Sequence, residues 1–342
     1  MVSRRKFIVL SSIVFLSYTV AKADPTHSQQ TSLRNDLVQY QAPRQKKQHF
    51  ERKAHPRLKS SQFNAHNYSL VGRFELEGVV IRGAAVPFVY RENEATYLYM
   101  CRGRRGHGVA ISINGSNFSN PRSTGIGRCG LNFIPIKGGY RLYMTMNFPR
   151  ENQKPDMSYN SSVVRDLKDF GPLKRTDEGI RFSNPGVPFF GFIGTPSVVT
   201  LPGGGARVYV SCGDPSSMAS FSSPDGLKFG EADDTFLPKA IDPEVHDLED
   251  GTFRAFFTVM DREAHRDMRP FKPHELMTAI SQDGIHWEVE GLILTTQHIP
   301  FSVIADPSAL KLKDGSWRIY FGTVSEQGEA GNIAAVRWWP LD

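Results

Sequence analysis

The chain has 342 residues and a formal net charge of +6, a value that on its own suggests nucleic acid or another acidic polymer as a partner. The charge is unevenly spread: residues 1–59 hold 12 Lys and Arg against Asp24, Asp36 and Glu51, leaving 29 basic and 32 acidic residues in the rest. The part that can fold is therefore slightly acidic, which argues against nucleic acid as its partner.

The N-terminus reads as an export signal over residues 1–23. Arg4, Arg5 and Lys6 precede an apolar run from Phe7 to Val20, and Ala21-Lys22-Ala23 supplies a small-x-small cleavage site. That run is shorter than the roughly twenty residues a spanning helix needs. Ser3-Arg4-Arg5-Lys6-Phe7-Ile8 also resembles a twin-arginine signal, and a general secretory signal fits equally well. The protein is thus expected in the periplasm or outside the cell. Residues 24–69 are rich in Gln, His, Lys and Arg and carry little patterned apolar content. They read as a polar basic arm that cannot bury enough surface to offset its ordering entropy. No later stretch is apolar enough to span a membrane.

Cys101, Cys129 and Cys212 are widely spaced and show no metal-ligand pattern. One disulfide with one free thiol and three buried thiols are both compatible with them. No cofactor or metal is expected.

From residue 70 to residue 342 helical periodicity gives way to short β-branched and aromatic runs broken by Gly, Pro, Asn and Asp. Two units recur in these runs. The first is an apolar strand opened near a proline, a turn, and a second strand with an aromatic core. Its copies begin at Val86-Pro87, Asn132-Phe133-Ile134-Pro135, Thr195-Pro196, Asp242-Pro243 and Asp306-Pro307. They lead to the second strands at Tyr97, Tyr140, Arg207, Phe253 and Trp317. From Tyr97 to Trp317 the average step is about 55 residues, which suits a four-stranded blade with its loops.

The second unit is a small hydroxyl residue, one residue, then Asn, Asp or Glu, then Gly, and an aromatic three residues after the Gly. It occurs at Ser112–Phe118, Thr176–Phe182, Ser223–Phe229 and Ser281–Trp287. Asn-Gly and Asp-Gly supply the positive φ angles of a tight hairpin, so each copy predicts a turn between strands. Five copies of one unit interleaved with four of the other predict an all-β, five-bladed β-propeller of four-stranded antiparallel blades. The runs 74–81 and 332–339, just outside the first and last units, are the expected ring-closing strands.

Asp306-Pro307-Ser308-Ala309 followed by Lys313-Asp314-Gly315-Ser316-Trp317-Arg318-Ile319-Tyr320-Phe321 resembles the blades of the five-bladed glycoside hydrolases: arabinanases, xylosidases, invertases and levansucrases. The Ser281–Trp287 hairpin is similar to a turn of the same group. The resemblance implies an axial funnel in which one carboxyl protonates the leaving oxygen and another attacks or activates water. On this sequence it points to Asp242, Glu244 and Asp306 as catalytic acids, with Arg128, Asn132, Thr195 and His246 as substrate-binding residues. Glu244 and His246 follow Asp242 on one strand face by period-two alternation. The first-blade acid of the group has no match, since the sequence there reads Gly83-Ala84-Ala85-Val86-Pro87.

Two functions follow as expectations. One is an exported enzyme, monomeric, that hydrolyses or transfers a glycosidic bond of an oligo- or polysaccharide. The alternative is a non-catalytic propeller that binds glycan or an envelope component because its acid set is incomplete.

Overall fold

In the computed structural model the described residues run from 65 to 341, except for 127–129, 146–157, 171–172, 174–179, 182–194, 203, 213–216, 231, 234, 236, 249, 260–274 and 325–330. All lie within the unit His55–Asp342. The signal, most of the arm, Arg128, Cys129 and the charged run 261–269 lie outside them.

Twenty strands form five antiparallel sheets of four. The first blade is β2 (Ala85–Glu92), β3 (Ala95–Cys101), β4 (His107–Ser112) and β5 (Arg122–Ser123). The second is β6 (Leu131–Ile136), β7 (Gly139–Thr145), β8 (Ser158–Val164) and β9 (Ile180–Arg181). The third is β10 (Ser197–Thr200), β11 (Ala206–Cys212), β12 (Ser217–Ser223) and β13 (Leu237–Pro238). The fourth is β14 (Ala240–Asp247), β15 (Phe253–Val259), β16 (Glu275–Ser281) and β17 (Trp287–Thr295). The fifth is β18 (Ala305–Lys311), β19 (Trp317–Thr323), β20 (Asn332–Trp339) and, on its outer edge, β1 (Arg73–Arg82). The expected five-bladed β-propeller is therefore present. The ring is closed by the two runs read from the sequence, with Phe74 opposite Trp338 and Ile81 opposite Ile333.

Second strands are covered on both faces, so they read as continuous apolar runs rather than as alternation. Every residue of β15 and β19 is buried. Between the third and fourth blades, Tyr209 and Met218 share one apolar cluster with Phe253, Phe257 and Met277. Phe256 faces the other way, toward Ile319, Phe321 and Trp338 of the fifth blade. Each fully buried Phe of this kind contributes roughly 1.5–3 kcal/mol of transfer free energy.

The two repeating units turn out to be two halves of one latch between blades. The second strand of one blade carries Arg-x-Tyr, and the turn of the next blade presents two carbonyls to it. Arg207 Nη1 donates to Asp283 O at 2.7 Å and the Tyr209 hydroxyl donates to Gly284 O at 3.0 Å. Arg141 and Tyr143 bind Asp225 O and Gly226 O in the same way. Arg318 and Tyr320 bind Asn114 O and Gly115 O. The turn aromatic then packs edge-on against the same tyrosine, as Trp287 does on Tyr209 with centroids 5.9 Å apart. Glycine is required in the turn for two reasons. Gly284 has φ +72°, and a Cβ there would lie 2.6 Å from the Tyr209 hydroxyl.

The second blade departs from the sequence expectation. The sequence pattern predicts its fourth-strand turn at Thr176–Phe182; of that stretch only Ile180 and Arg181 are described, and they are β9 itself. The latch position is filled instead by residues 164–170. The Tyr99 hydroxyl donates to Leu167 O at 2.8 Å, Phe170 stacks on Tyr99, and Asp166 accepts the Lys168 N–H as the turn acids of the other blades do. This turn lacks glycine, so a search for Asp-Gly passes over it.

Residues 69–71 run parallel to β17 before the chain enters β1. Leu292 N donates to Ser69 O, and Val71 N donates to Leu292 O at 2.7 Å. Ala65 is buried against the fourth blade, and Trp338 Nε1 donates to Val71 O at 2.7 Å. Cys101 is half of a disulfide.

Candidate active site

The first strands of neighbouring blades lie against one another from the second blade through the third, fourth and fifth to the first. Their openings share a local device. Val86, Asp242 and Asp306 each precede a proline, each has positive φ (53°, 48° and 47°), and each sits at a break in pairing register with the second strand. A proline cannot donate to the ladder, and the extra residue of a bulge re-aims the side chains beside it. The second blade has no Xaa-Pro at this point. Its β6 pairs with β7 without a register break, and Pro135 falls near the strand's far end. Thr195-Pro196 opens the third blade, with Thr195 half-buried.

Asp242 and Asp306 meet where the fourth and fifth blades join. The Asp306 backbone N–H donates to the Asp242 carboxylate. Asp242 N in turn donates to Ser211 Oγ at 2.7 Å, which ties it to the third blade. Asp242 is 9% exposed, and its Oδ1 is buried without a hydrogen-bond partner. Burial pushes the Asp242 carboxyl up to about 6. Asp306 is less enclosed, and burial together with the neighbouring Asp242 charge holds its proton well above the usual carboxylate range. The two titrate as a pair: once one is ionised, the other keeps its proton.

Glu244 lies two residues beyond Asp242 and is 7% exposed. Ser308 Oγ donates to its Oε1 at 3.3 Å, and Ser197 also hydrogen-bonds the carboxyl. Each serine is free to donate because its lone pairs already serve a backbone group. Val89 N donates to Ser308 Oγ at 2.9 Å, and Val245 N donates to Ser197 Oγ at 2.8 Å. Glu244 thereby joins the first strands of three blades. Burial outweighs the two hydroxyls and raises its carboxyl to about 8.

His246 Nε2 is 3.6 Å from Glu244 Oε1 and has no hydrogen-bond partner. Its ring packs on Trp317 and Phe256, and burial lowers it to about 4. At neutral pH both His246 and Glu244 are therefore uncharged.

The structure thus brings Asp242, Glu244, Asp306 and His246 together. Asn132 is buried on β6 opposite Tyr143, in the second blade. Thr195 opens the third blade, and Arg128 lies outside the described residues. Sequence reading missed Ser197, Ser211 and Ser308, the hydroxyls that hold the acids. The recurring Pro-Ser after an opening residue, at Pro196-Ser197 and Pro307-Ser308, was the available signal. Among the described residues no group of three or more His, Cys, Asp and Glu is arranged to hold a metal ion, and no helix is long and apolar enough to cross a membrane.

Five four-stranded blades, two of whose inner strands open on a carboxyl, define a five-bladed β-propeller. Solved structures of that kind match it at low identity. An endo-1,4-beta-xylanase from Bacteroides thetaiotaomicron superposes with TM-score 0.51 and 13% identity over 77% of this chain and 92% of its own. An endo-arabinase from the same organism gives 0.56 and 12% over 80% and 98%. The catalytic domain of an alpha-L-arabinofuranosidase from Coprinopsis cinerea gives 0.55 and 9% over 78% and 97%. These likenesses establish the fold. No protein-family model matches the sequence, and no curated protein is detectably similar to it.

Proposed function

We propose that the protein cleaves or transfers a glycosidic bond of an oligo- or polysaccharide at the junction of its fourth and fifth blades. The observation that carries this reading is the Asp242–Asp306 pair, two carboxyls whose shared environment splits their protonation. Asp306, the more exposed, keeps its proton and gives it to the leaving oxygen. Asp242 is ionised at neutral pH, and its carboxylate takes a proton from the attacking water or bonds the anomeric carbon. Glu244 stays neutral behind the pair and fixes the strands that carry it. In hydrolysis one proton leaves Asp306 and one arrives from water at Asp242, so the site resets by exchange between the two.

A second reading, a glycan-binding propeller without turnover, is favoured by one feature. Val86 occupies the position equivalent to Asp242 and Asp306, so a carboxyl is missing from the first blade. Hydrolysis of a panel of aryl-glycosides and of plant and microbial polysaccharides, by wild type beside D242N, E244Q and D306N, separates the two. Turnover that collapses in D242N and D306N establishes the enzyme; binding without turnover in the wild type establishes the binder.

We also propose that the protein works outside the cytoplasm. The leader-like residues 1–23 and the disulfide at Cys101 support this, since disulfides persist in oxidising compartments. Cell fractionation with an antibody to the protein tests it.

A further inference from the structure

Among the described residues at the strand openings, Val86 is the one whose conformation does not suit its side chain. Aspartate tolerates the left-handed region because its short polar side chain bonds locally. For a β-branched residue the same φ is an outlier. Asp242, Asp306 and Val86 nevertheless share it, along with the following proline and the register break. The backbone conformation is therefore set by the ring and not by valine, which stays there at a cost in stability.

Val86 also adjoins the acids. Its backbone N and Asp306 Oδ2 each lie 3.7 Å from the place a Cβ on Gly322 would occupy. Ala84 and Ala85 precede it, and Gly331 packs on both. The first blade thus places the partly exposed Val86 at the position where the fourth and fifth blades place carboxyls. A sugar ring has the matching character, with hydroxyls around its edge and C–H bonds on its faces. The ring sets the strained backbone but not the valine on it, so a β-branched residue kept there in spite of the strain points to a role in the site.

We propose that Val86 is a specificity-determining residue, an apolar wall that meets the C–H face of the sugar held at Asp242 and Asp306. This rests on the site binding carbohydrate and holds whether the bound sugar is turned over or not. A polar group at this position would face a C–H surface and lose its water without gaining a partner, which weakens binding.

The test is binding of soluble arabinan, xylan and their oligosaccharides, measured by calorimetry on the full protein, with thermal unfolding in parallel. Val86→Thr keeps shape and β-branching and adds only a hydroxyl. Val86→Asn relieves the left-handed strain. Val86→Thr is expected to bind the preferred glycan about tenfold more weakly with little change in melting temperature. Val86→Asn is expected to melt a few degrees higher yet bind as weakly or worse. That split separates a ligand contact from a structural role, which would leave affinity tracking stability. If the wild type binds and both variants match its affinity and its order of preference, the inference about Val86 is wrong while the carbohydrate reading stands. If the wild type binds none of the panel, the carbohydrate reading fails and this inference fails with it.

Discussion

The Tyr320 hydroxyl donates to Gly115 O at 2.6 Å across 205 residues of sequence, so the last blade holds the turn of the first with the bond that joins the second to the third and the third to the fourth. The fourth blade carries Phe256 where the others carry this tyrosine. The reason is topological. In the fifth blade the third and fourth strands, β20 and β1, are not consecutive in the chain, so no hairpin turn joins them to offer a carbonyl, and Phe256 packs on Trp338 and Trp317 instead.

Removing one latch hydroxyl leaves a buried carbonyl unpaired, so Tyr209→Phe is expected to cost about 1–3 kcal/mol in urea unfolding. Phe256→Tyr should also destabilise, by a similar amount, since it buries a hydroxyl among aromatic rings. A stable Phe256→Tyr variant would refute the topological explanation.

Gly284→Ala puts a Cβ 2.6 Å from both the Tyr209 hydroxyl and Arg207 Nη1, in a turn at φ +72°. A loss of several kcal/mol, on the order of 3, is expected from combined strain and clash. Gly251→Ala has positive φ but open space around it, so it should cost about 1 kcal/mol. Differential scanning calorimetry of the two variants separates the latch from the turn.

The dependence of stability on pH has a definite sign at Glu244. The folded state binds this proton more tightly than the unfolded chain, with a carboxyl at about 8 against an ordinary value of 4.5. The contribution is complete below the unfolded value and is lost as pH rises toward the folded one. His246, lowered to about 4 from 6.5, has the opposite sign: its contribution is complete above the unfolded value and is lost as pH falls. The two offset each other between their unfolded values, so Glu244 acts alone above that of His246. Because Glu244→Gln keeps His246, the His246 contribution cancels between the two proteins, and the variant is expected to gain on the wild type as pH rises through the whole window from 4.5 to about 8, by up to about 1.4 kcal/mol per pH unit. Denaturant unfolding of both proteins at several pH values across the window checks the slope, and parallel curves would show that Glu244 is ionised in the folded protein.

Ser308→Ala removes a hydroxyl that favours the charged form of Glu244, and it strips Val89 N of its acceptor. The Glu244 carboxyl should titrate at still higher pH, visible in its carboxyl carbon resonance, with a stability loss of about 1–3 kcal/mol. An unmoved titration would mean that burial alone sets the proton.

For the proposed reaction, Asp306→Asn should lower turnover by about 10²–10⁴-fold, the usual worth of a positioned proton donor. Asp242→Asn should lower it too, and should also bring the Asp306 proton down toward the ordinary range by removing the charge beside it. The pH profile of residual activity reads the second effect. A profile identical to wild type would separate the two carboxyls.

The blades were legible because their spacing and turn chemistry are local. Asp225-Gly226 and Asp283-Gly284 announce hairpins, and Tyr-Arg-Leu-Tyr or Trp-Arg-Ile-Tyr announces a strand covered on both faces. The second-blade latch was not legible because Asp166-Leu167 makes the same contacts without glycine, while the turn expected at 176–179 lies outside the described residues. The acids Asp242, Glu244 and Asp306 were legible as strand-opening carboxyls.

Sequence by itself therefore determined the architecture, the blade count and the two strands that close the ring, since each depends on patterns a few residues long repeated at a fixed step. Only the tertiary structure decided that Arg-x-Tyr and Asp-Gly are partners, that Ser197 and Ser308 from two different blades hold Glu244, and that Val86 shares the backbone of two aspartates. These relationships join groups up to 205 residues apart, and even the short bulge at Val86 follows from how its strand packs in the ring, against the preference of valine itself.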